Sequence, residues 1–509
     1  MIEHNIIRKF CTNCGAGFLS LFCLSVFSAE QPMLGANHVL SFEKAIQLTQ
    51  KNDPWLMGNL HKQRSIESMS TAVSALPDPN VSISLANLPT NGFDFNQEGM
   101  TQAKIGIAQR FPRGETLDIK SQQLRTQSEA FPFQRKDREA KVAVTVGTLW
   151  LNAYRIQQSI ALIEKNRSLF EQLADVAEAS YASAFGKTRQ QDIVRAQLEL
   201  TRLEDRLDKL FQQKNNVEGI LAPWLTRLSI QSSIDPSIKA SKERTTVSNT
   251  GEAADLYPSL GSDFSLHNLV LSQNIPQIAL LNADLVNAKN WLAPEKLVRY
   301  FSNHPSVIAV DKQINASQTG IKLAKQKYHP EWGVNASYGY RADDPMGRSR
   351  ADLFSVGVTF DLPIFTENRQ DKEVQSAIYQ TEAVKTKKLL LLKQLLGAYS
   401  SAKGRLLRLK DRQTLYKSKL LPQTHDQAEA SLTAYTNDDG DFSEVVRSRI
   451  AVLNAEIDEL SLNVEEQKLH LELNYLFIGR IKTAMTENNM NHHHKFTNSG
   501  QYVAISGEK

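Results

Sequence analysis

Two copies of one strand-pair cassette constrain this chain more than any other feature. The first copy runs from Asn52 to Pro112 and the second from Asn303 to Pro363. At a single ungapped offset of 251 residues, Asn52 meets Asn303, Pro54 meets Pro305 and Pro79 meets Pro330. The same offset pairs Gly106 with Gly357, Pro112 with Pro363, and the run Ala177-Glu178-Ala179-Ser180 with Ala428-Glu429-Ala430-Ser431. Low complexity does not hold register across loops, so the pattern is an internal duplication of a supersecondary unit. The Pro, Gly and Asn matches carry the argument, because these residues mark breaks and turns. Each unit reads as two strands followed by a very long helical stretch.

A chain of 509 residues would ordinarily hold about three domains. The duplication argues instead for one object built of two halves. The net charge of +4 comes from intermixed acids and bases, with no basic stripe of the kind nucleic acid selects. All three cysteines, Cys11, Cys14 and Cys23, lie near the start, in a stretch with a secretory pattern. Arg8 and Lys9 form a basic region, and Gly15 to Ala29 forms a short apolar run ending in small residues. Residues 1–29 are therefore predicted to be a signal peptide, cleaved after Ser28 or Ala29. Phe22 stands before Cys23 where an acylated cysteine wants a small residue, and the apolar run is short for a membrane anchor. Beyond residue 29 the chain has no cysteine, so disulfides and thiolate metal sites are excluded there.

Ser41 is an N-cap candidate for a first helix with Glu43 in its first turn. Residues 55–76 read as a second helix, stopped by Pro77-Asp78-Pro79. The period then becomes two. In strand 81–88, Val81, Ile83 and Leu85 alternate with Ser82, Ser84 and Ala86; in strand 101–111, Ala103, Ile105, Ile107 and Phe111 alternate with Lys104, Gly106, Ala108 and Arg110. The second copy repeats this at 332–340, with Trp332, Val334, Ala336, Tyr338 and Tyr340 on one face, and at 353–362, with Phe354, Val356, Val358, Phe360 and Leu362.

A half-buried sheet in a soluble domain would give the same alternation. Two features favour a membrane barrel: strands of about 9–11 residues suit a tilted crossing, and the apolar face carries aromatics while the other carries Gly, Ser, Asn and Thr. Four strands cannot close, and open edges in lipid cost several kcal/mol per unsatisfied group. A trimer would close them as a barrel of about twelve strands, an even number in the bacterial range.

Each strand pair precedes a helical run, predicted as hairpins over 115–222 and 366–478. The first is about 160 Å if unbroken and turns near Gly186-Lys187-Thr188. Val142, Leu149, Ile156, Ile163, Phe170 and Ala177 recur every seven residues, and Leu395, Leu396, Tyr399, Ala402, Leu406 and Leu409 form the stripe of the second run. Pro132 is expected to kink the first arm, and 436–441 to form the second turn. The layout is a first repeat over 41–225, an irregular connector over 226–290, a second repeat over 291–479, and a disordered tail over 480–509.

This combination resembles the TolC family of outer-membrane efflux factors over most of the chain. Residues 75–79 (Ala-Leu-Pro-Asp-Pro), 87–89 (Asn-Leu-Pro) and 105–114 (Ile-Gly-Ile-Ala-Gln-Arg-Phe-Pro-Arg-Gly) resemble its CzcC and CusC-like heavy-metal branch. That branch commonly follows Phe-Pro with Gly-Lys, where this chain has Arg113-Gly114-Glu115. The resemblance implies an α+β membrane protein with four transmembrane β-strands and long periplasmic coiled-coil hairpins per protomer, and a homotrimer with a β-barrel in outer-membrane lipid above an α-barrel. It implies loops 87–99 and 341–351 facing outside, and helical tips docked on a periplasmic adaptor, coupled to an inner-membrane pump of the RND type. The cargo it implies is a heavy-metal cation; a duct for drugs or secreted protein, and a soluble periplasmic coiled-coil scaffold, are the alternatives.

At the second tip, Asp438, Asp439 and Asp441, with Glu444 just after, would form threefold carboxylate rings of the kind that favour cations. Asp-Asp-Gly-Asp is also ordinary turn chemistry. The first tip, Gly186, Lys187 and Thr188, is the adaptor-contact candidate, with Asp192 and Arg195 expected as exposed helix charges. His492, His493 and His494 can chelate a metal weakly, although a tail lacks the support of a formed site. No catalytic or cofactor motif occurs, so the chain reads as no enzyme and needs no cofactor.

Overall fold

The computed structural model describes residues 39–182, 189–226, 269–288, 290–437 and 439–480. The predicted signal peptide, the first hairpin tip at 186–188, Asp438 and the His492–His494 run lie outside these residues.

Helix α1 (Phe42–Asn52) is capped by Ser41, whose hydroxyl accepts the Lys44 N–H. Helix α2 (Pro54–Ala72) is capped by Asp53, which accepts the Trp55 N–H at 3.0 Å. Strands β1 (Asn80–Ala86) and β2 (Gln102–Phe111) follow. Helix α3 (Thr116–Ser128) then gives way to α4 (Phe131–Ala182), a 52-residue helix about 78 Å long. Pro132 does not kink a continuous arm. The helix stops at Ser128 and restarts at Phe131, leaving Pro132 in a first turn, where its missing N–H costs nothing. Helix α5 (Gln190–Leu225) runs back along α4.

The second repeat brings α6 (Ala283–Asn287), α7 (Pro294–Phe301), α8 (Pro305–Lys325), β3 (Trp332–Tyr340) and β4 (Leu353–Phe360). Helix α9 (Gln370–Leu415) passes through a π-helical turn, Tyr416–Leu420, into α10 (Leu421–Thr436). That turn is absent from the sequence reading. Pro422 lies in the first turn of α10 and cannot donate to the ladder, and one widened turn lets the chain continue past it. Helix α11 (Phe442–Leu476) returns, with Asp441 as its N-cap.

The duplication reaches individual caps. Asp53 and His304 occupy equivalent positions, and each caps the helix whose first residue is the matched proline. His304 takes the Ser306 N–H on Nδ1 at 3.3 Å, while Nε2 faces the Tyr475 carbonyl at 3.0 Å. Arg138 grips Asp53 at 2.7 Å.

The heptad positions of α4 are the core of the coiled coil. Ile156, Ile163, Phe170 and Ala177 pack with Leu203 and Leu207 of α5 and with Val445, Leu453 and Ile457 of α11. A second cluster joins Phe301, Tyr399, Leu406 and Phe477, and a third joins Phe42, Trp150, Leu221 and Leu271. The described part of the connector is strapped along α11 by a polar stripe. Gln467 Oε1 accepts the Ile278 N–H, His470 Nδ1 meets the Ile278 carbonyl, and Asn474 bonds both Leu281 N and Ala279 O, all at 2.8 Å. Lys403, fully buried, donates to the Leu285 and Asn290 carbonyls and lies over the Trp291 ring. Burial holds its ammonium pKa below the ordinary lysine value.

Candidate functional site

Two regions of the chain carry surfaces that packing within one protomer leaves unexplained. The first is the sheet. Its order is β1-β2-β3-β4, antiparallel throughout, so the two repeats join through β2 and β3, and β1 and β4 are open edges. The register sorts the side chains into rows across all four strands. Ile83, Ile105, Tyr338 and Phe354 form one row, and Val81, Ile107, Ala336 and Val356 the next. Phe111, Trp332 and Phe360 form the row nearest the helices, where the Trp332 and Phe360 rings lie 5.1 Å apart. At the opposite end Tyr340 stacks on Phe95. The large members of this face are exposed, Ile83 at 83%. An unpartnered apolar sheet face of this extent, aliphatic in the middle and aromatic at both ends, marks an apolar environment rather than water.

The reverse face is polar and small. Ser82, Gly106, Ser337 and Ser355 form one row, and Asn80, Ala108, Asn335 and Gly357 another. A Cβ on Gly357 would stand 2.7 Å from Asn335 Oδ1, so side chains crowd on this face and spread on the other. Crowding on the polar side is what a sheet curved around a narrow wet interior requires.

The junction below the sheet explains the Arg113-Gly114-Glu115 departure. Arg113 donates to the Lys327 carbonyl at 3.0 Å and the His329 carbonyl at 3.2 Å, and it pairs with the Asp361 carboxylate. The Glu115 N–H bonds Gln326 Oε1. The exit from β2 is thus clamped to the entry and exit of the second repeat's strand pair.

The second region is the α10–α11 turn. Asn437 closes α10 on the Thr433 carbonyl, and the Asp439 N–H bonds the Ala434 carbonyl at 2.9 Å. Gly440 passes so close that a Cβ there would lie 2.5 Å from Tyr435 N. The Tyr435 and Phe442 rings, packed edge to face at 5.6 Å, anchor the turn from below. Asp439 and Asp441 are exposed. Asp441 accepts the Ser443 N–H at 3.1 Å. The Ser443 amide and hydroxyl, and beyond them Arg195 and Arg189, hold its carboxyl below the usual carboxylate range. Glu444 pairs with Arg447 one turn on.

The described flank of the first tip therefore sets its arginines against the acids of the second. Arg195 is exposed, as expected, but Asp192 is not. It is 5% exposed, and its Oδ2 accepts the Arg189 N–H at 3.0 Å. An acid three residues into a helix turns back to cap it, and that spacing is the signal the exposed-charge reading passed over. Among the described residues no group of three His, Cys, Asp or Glu side chains could hold a metal.

An open four-stranded sheet, one face apolar and exposed, set on duplicated hairpins about 80–100 Å long, is a fold this chain shares with solved outer-membrane channels. The resemblance to the TolC family thus extends to the fold. The match to CmeC, an outer membrane channel of Campylobacter jejuni, has a TM-score of 0.64 at 11% identity over 89% of both chains. CusC, solved in a study of folding and transmembrane channel formation, matches with a TM-score of 0.62 at 12% identity over 86% of this chain and 91% of its own. The open state of the Neisseria gonorrhoeae MtrE outer membrane channel matches at 0.60 and 12% identity over 86% and 88%. No family model and no curated protein sequence matches the chain.

Proposed function

We propose that three copies of this chain form a passive outer-membrane exit duct of a tripartite efflux system. The observation that carries this is the sheet: open at both edges, apolar outward, polar and crowded inward. In lipid an open edge leaves backbone groups without partners, and threefold closure pairs β4 of one copy with β1 of the next. Exposed apolar side chains on the helices, among them Leu389, Leu390, Val194, Leu198 and Phe211, supply contact area for the same neighbours. The hairpins then form the periplasmic tunnel, and their tips meet an adaptor coupled to an inner-membrane pump of the RND type. The duct does no chemistry, and its energy comes from the pump.

The cargo we assign is a heavy-metal cation. Two features support that reading: the motifs shared with the CzcC and CusC-like branch, and the acids at the α10–α11 turn, which in threefold array attract cations and repel anions. Membrane fractionation tests the duct. The chain should stay with the outer-membrane fraction until detergent is added and then run at trimer mass; a folded, detergent-independent monomer would overturn the proposal. Deletion of the gene should sensitise cells to copper, zinc or cobalt salts more than to lipophilic drugs, and the reverse order would reassign the cargo.

A further inference from the structure

We propose that residues 362–365, at the exit of β4, form an apolar finger seated in the bilayer's interfacial layer at the helix-proximal rim of the barrel. The inference rests on the barrel reading above. After Phe360, Leu362 takes the next apolar position of the alternation; Pro363 then ends it, and Ile364 and Phe365 follow in a tight turn. Leu362 and Ile364 are 62% and 69% exposed, and Phe365 is 91% exposed. The segment has a fixed shape: Pro363 restricts the backbone, and the Ile364 N–H closes a tight turn on the Leu362 carbonyl at 2.9 Å. A rigid turn presenting three large apolar side chains, with nothing among the described residues covering them, needs an apolar occupant.

The two repeats differ at this point. Pro112 and Pro363 occupy equivalent positions, and the next two residues are Arg113-Gly114 in one copy and Ile364-Phe365 in the other. Arg113 turns inward and is consumed by two carbonyls and Asp361. Its counterpart turns outward and is consumed by nothing described. One junction per protomer is therefore a clamp and the other a finger, giving three fingers around the rim.

Dimensions select lipid as the occupant. From Tyr340 to Trp332 the apolar face spans about 26 Å along the strand, or about 20 Å of height at a tilt near 40°. The apolar band of an outer-membrane barrel is about 25 Å tall. The sheet falls short by about one row, and Leu362 to Phe365 supply that row at the edge where aromatic rings favour the boundary.

The test is a nitroxide label at Phe365→Cys, with Ile364→Cys as a second site, in a background where Cys11, Cys14 and Cys23 are Ser. The trimer is reconstituted in phosphatidylethanolamine and phosphatidylglycerol nanodiscs. Collisional accessibility to oxygen should exceed that to a polar nickel reagent severalfold at both sites. Comparable access of the nickel reagent would place the finger in water and overturn the proposal. Protection from both reagents would seat it against a neighbouring protomer and overturn it equally. A label at Val356→Cys, in the middle of β4, separates the two readings. If Val356 is lipid-accessible while Phe365 is not, the finger alone fails; if Val356 is open to the nickel reagent, the barrel fails with it.

Discussion

At the scale of single residues the chain turns on groups whose ionisation the fold has settled. His304 stands where the first repeat has Asp53, and both must present an acceptor to a helix N-terminus. For histidine that acceptor is Nδ1, which must stay unprotonated. Burial lowers its pKa, against a weaker upward pull from Asp137 and a further downward push from Lys141. The unfolded imidazole takes a proton near pH 6.5 while the folded one resists it, so the unfolded state binds more protons as pH falls below about 6.5. Stability is therefore complete above that pH and is lost below it. The thermal midpoint should fall between about pH 7.5 and 5.5, and His304→Asn, which keeps a capping acceptor, should flatten the dependence; a wild-type midpoint constant over that range would sink the claim. At the tip, the lowered pKa of Asp441 keeps its charge in neutral solution. Replacing Asp438, Asp439 and Asp441 together with Asn removes charge and leaves the cap, since Asn caps a helix about as well as Asp. We expect higher conductance at the closed end, or weaker cation preference, in planar bilayers; unchanged currents would reduce the acids to turn formers.

At the scale of elements, the strands and the heptad seam were legible because period two and period seven are written in side-chain type alone. The Tyr416–Leu420 π turn and the gap between Ser128 and Phe131 were not, because proline reports only that an N–H is missing. Whether the helix kinks, widens or restarts is decided by packing of the flanking turns. Arg113-Gly114-Glu115 was visible as a departure from a family pattern, but its clamp joins residues over two hundred positions apart. Arg113→Ala should cost on the order of 1.5–3 kcal/mol, the range for hydrogen bonds to a charged group, read as a lower thermal midpoint with the helical signal intact. Gly440 was legible as a turn residue, though not as a point of contact with Tyr435. Gly440→Val forces the α10 C-terminus aside at about 1–3 kcal/mol. Hydrogen exchange should then quicken at Phe442 to Val446 and stay unchanged at Leu469 to Leu476.

At the scale of the whole molecule, a protomer whose sheet is open at both edges is an incomplete object, and sequence alone could carry the inference that far. The four strands, the period of two and the duplication are all written in the sequence. What the structure adds is the order of the rows, which fixes which residue shares a depth with which and so makes the two faces separable by experiment. Val356 and Ser355 are neighbours in β4 and project to opposite sides. Arginine on the lipid face near the middle of a barrel costs about 2–4 kcal/mol, and a trimer incurs it three times. Arginine at Ser355 would meet water and the polar row of Ser337 and Gly106. Val356→Arg should therefore abolish or severely reduce the heat-modifiable trimer recovered from outer membranes, whereas Ser355→Arg should assemble near wild-type yield and alter conductance. Equal loss from both would mean that the sheet is buried on both sides in a soluble assembly. Equal tolerance would mean that neither face meets lipid, and with that the reason for closure in threes would go.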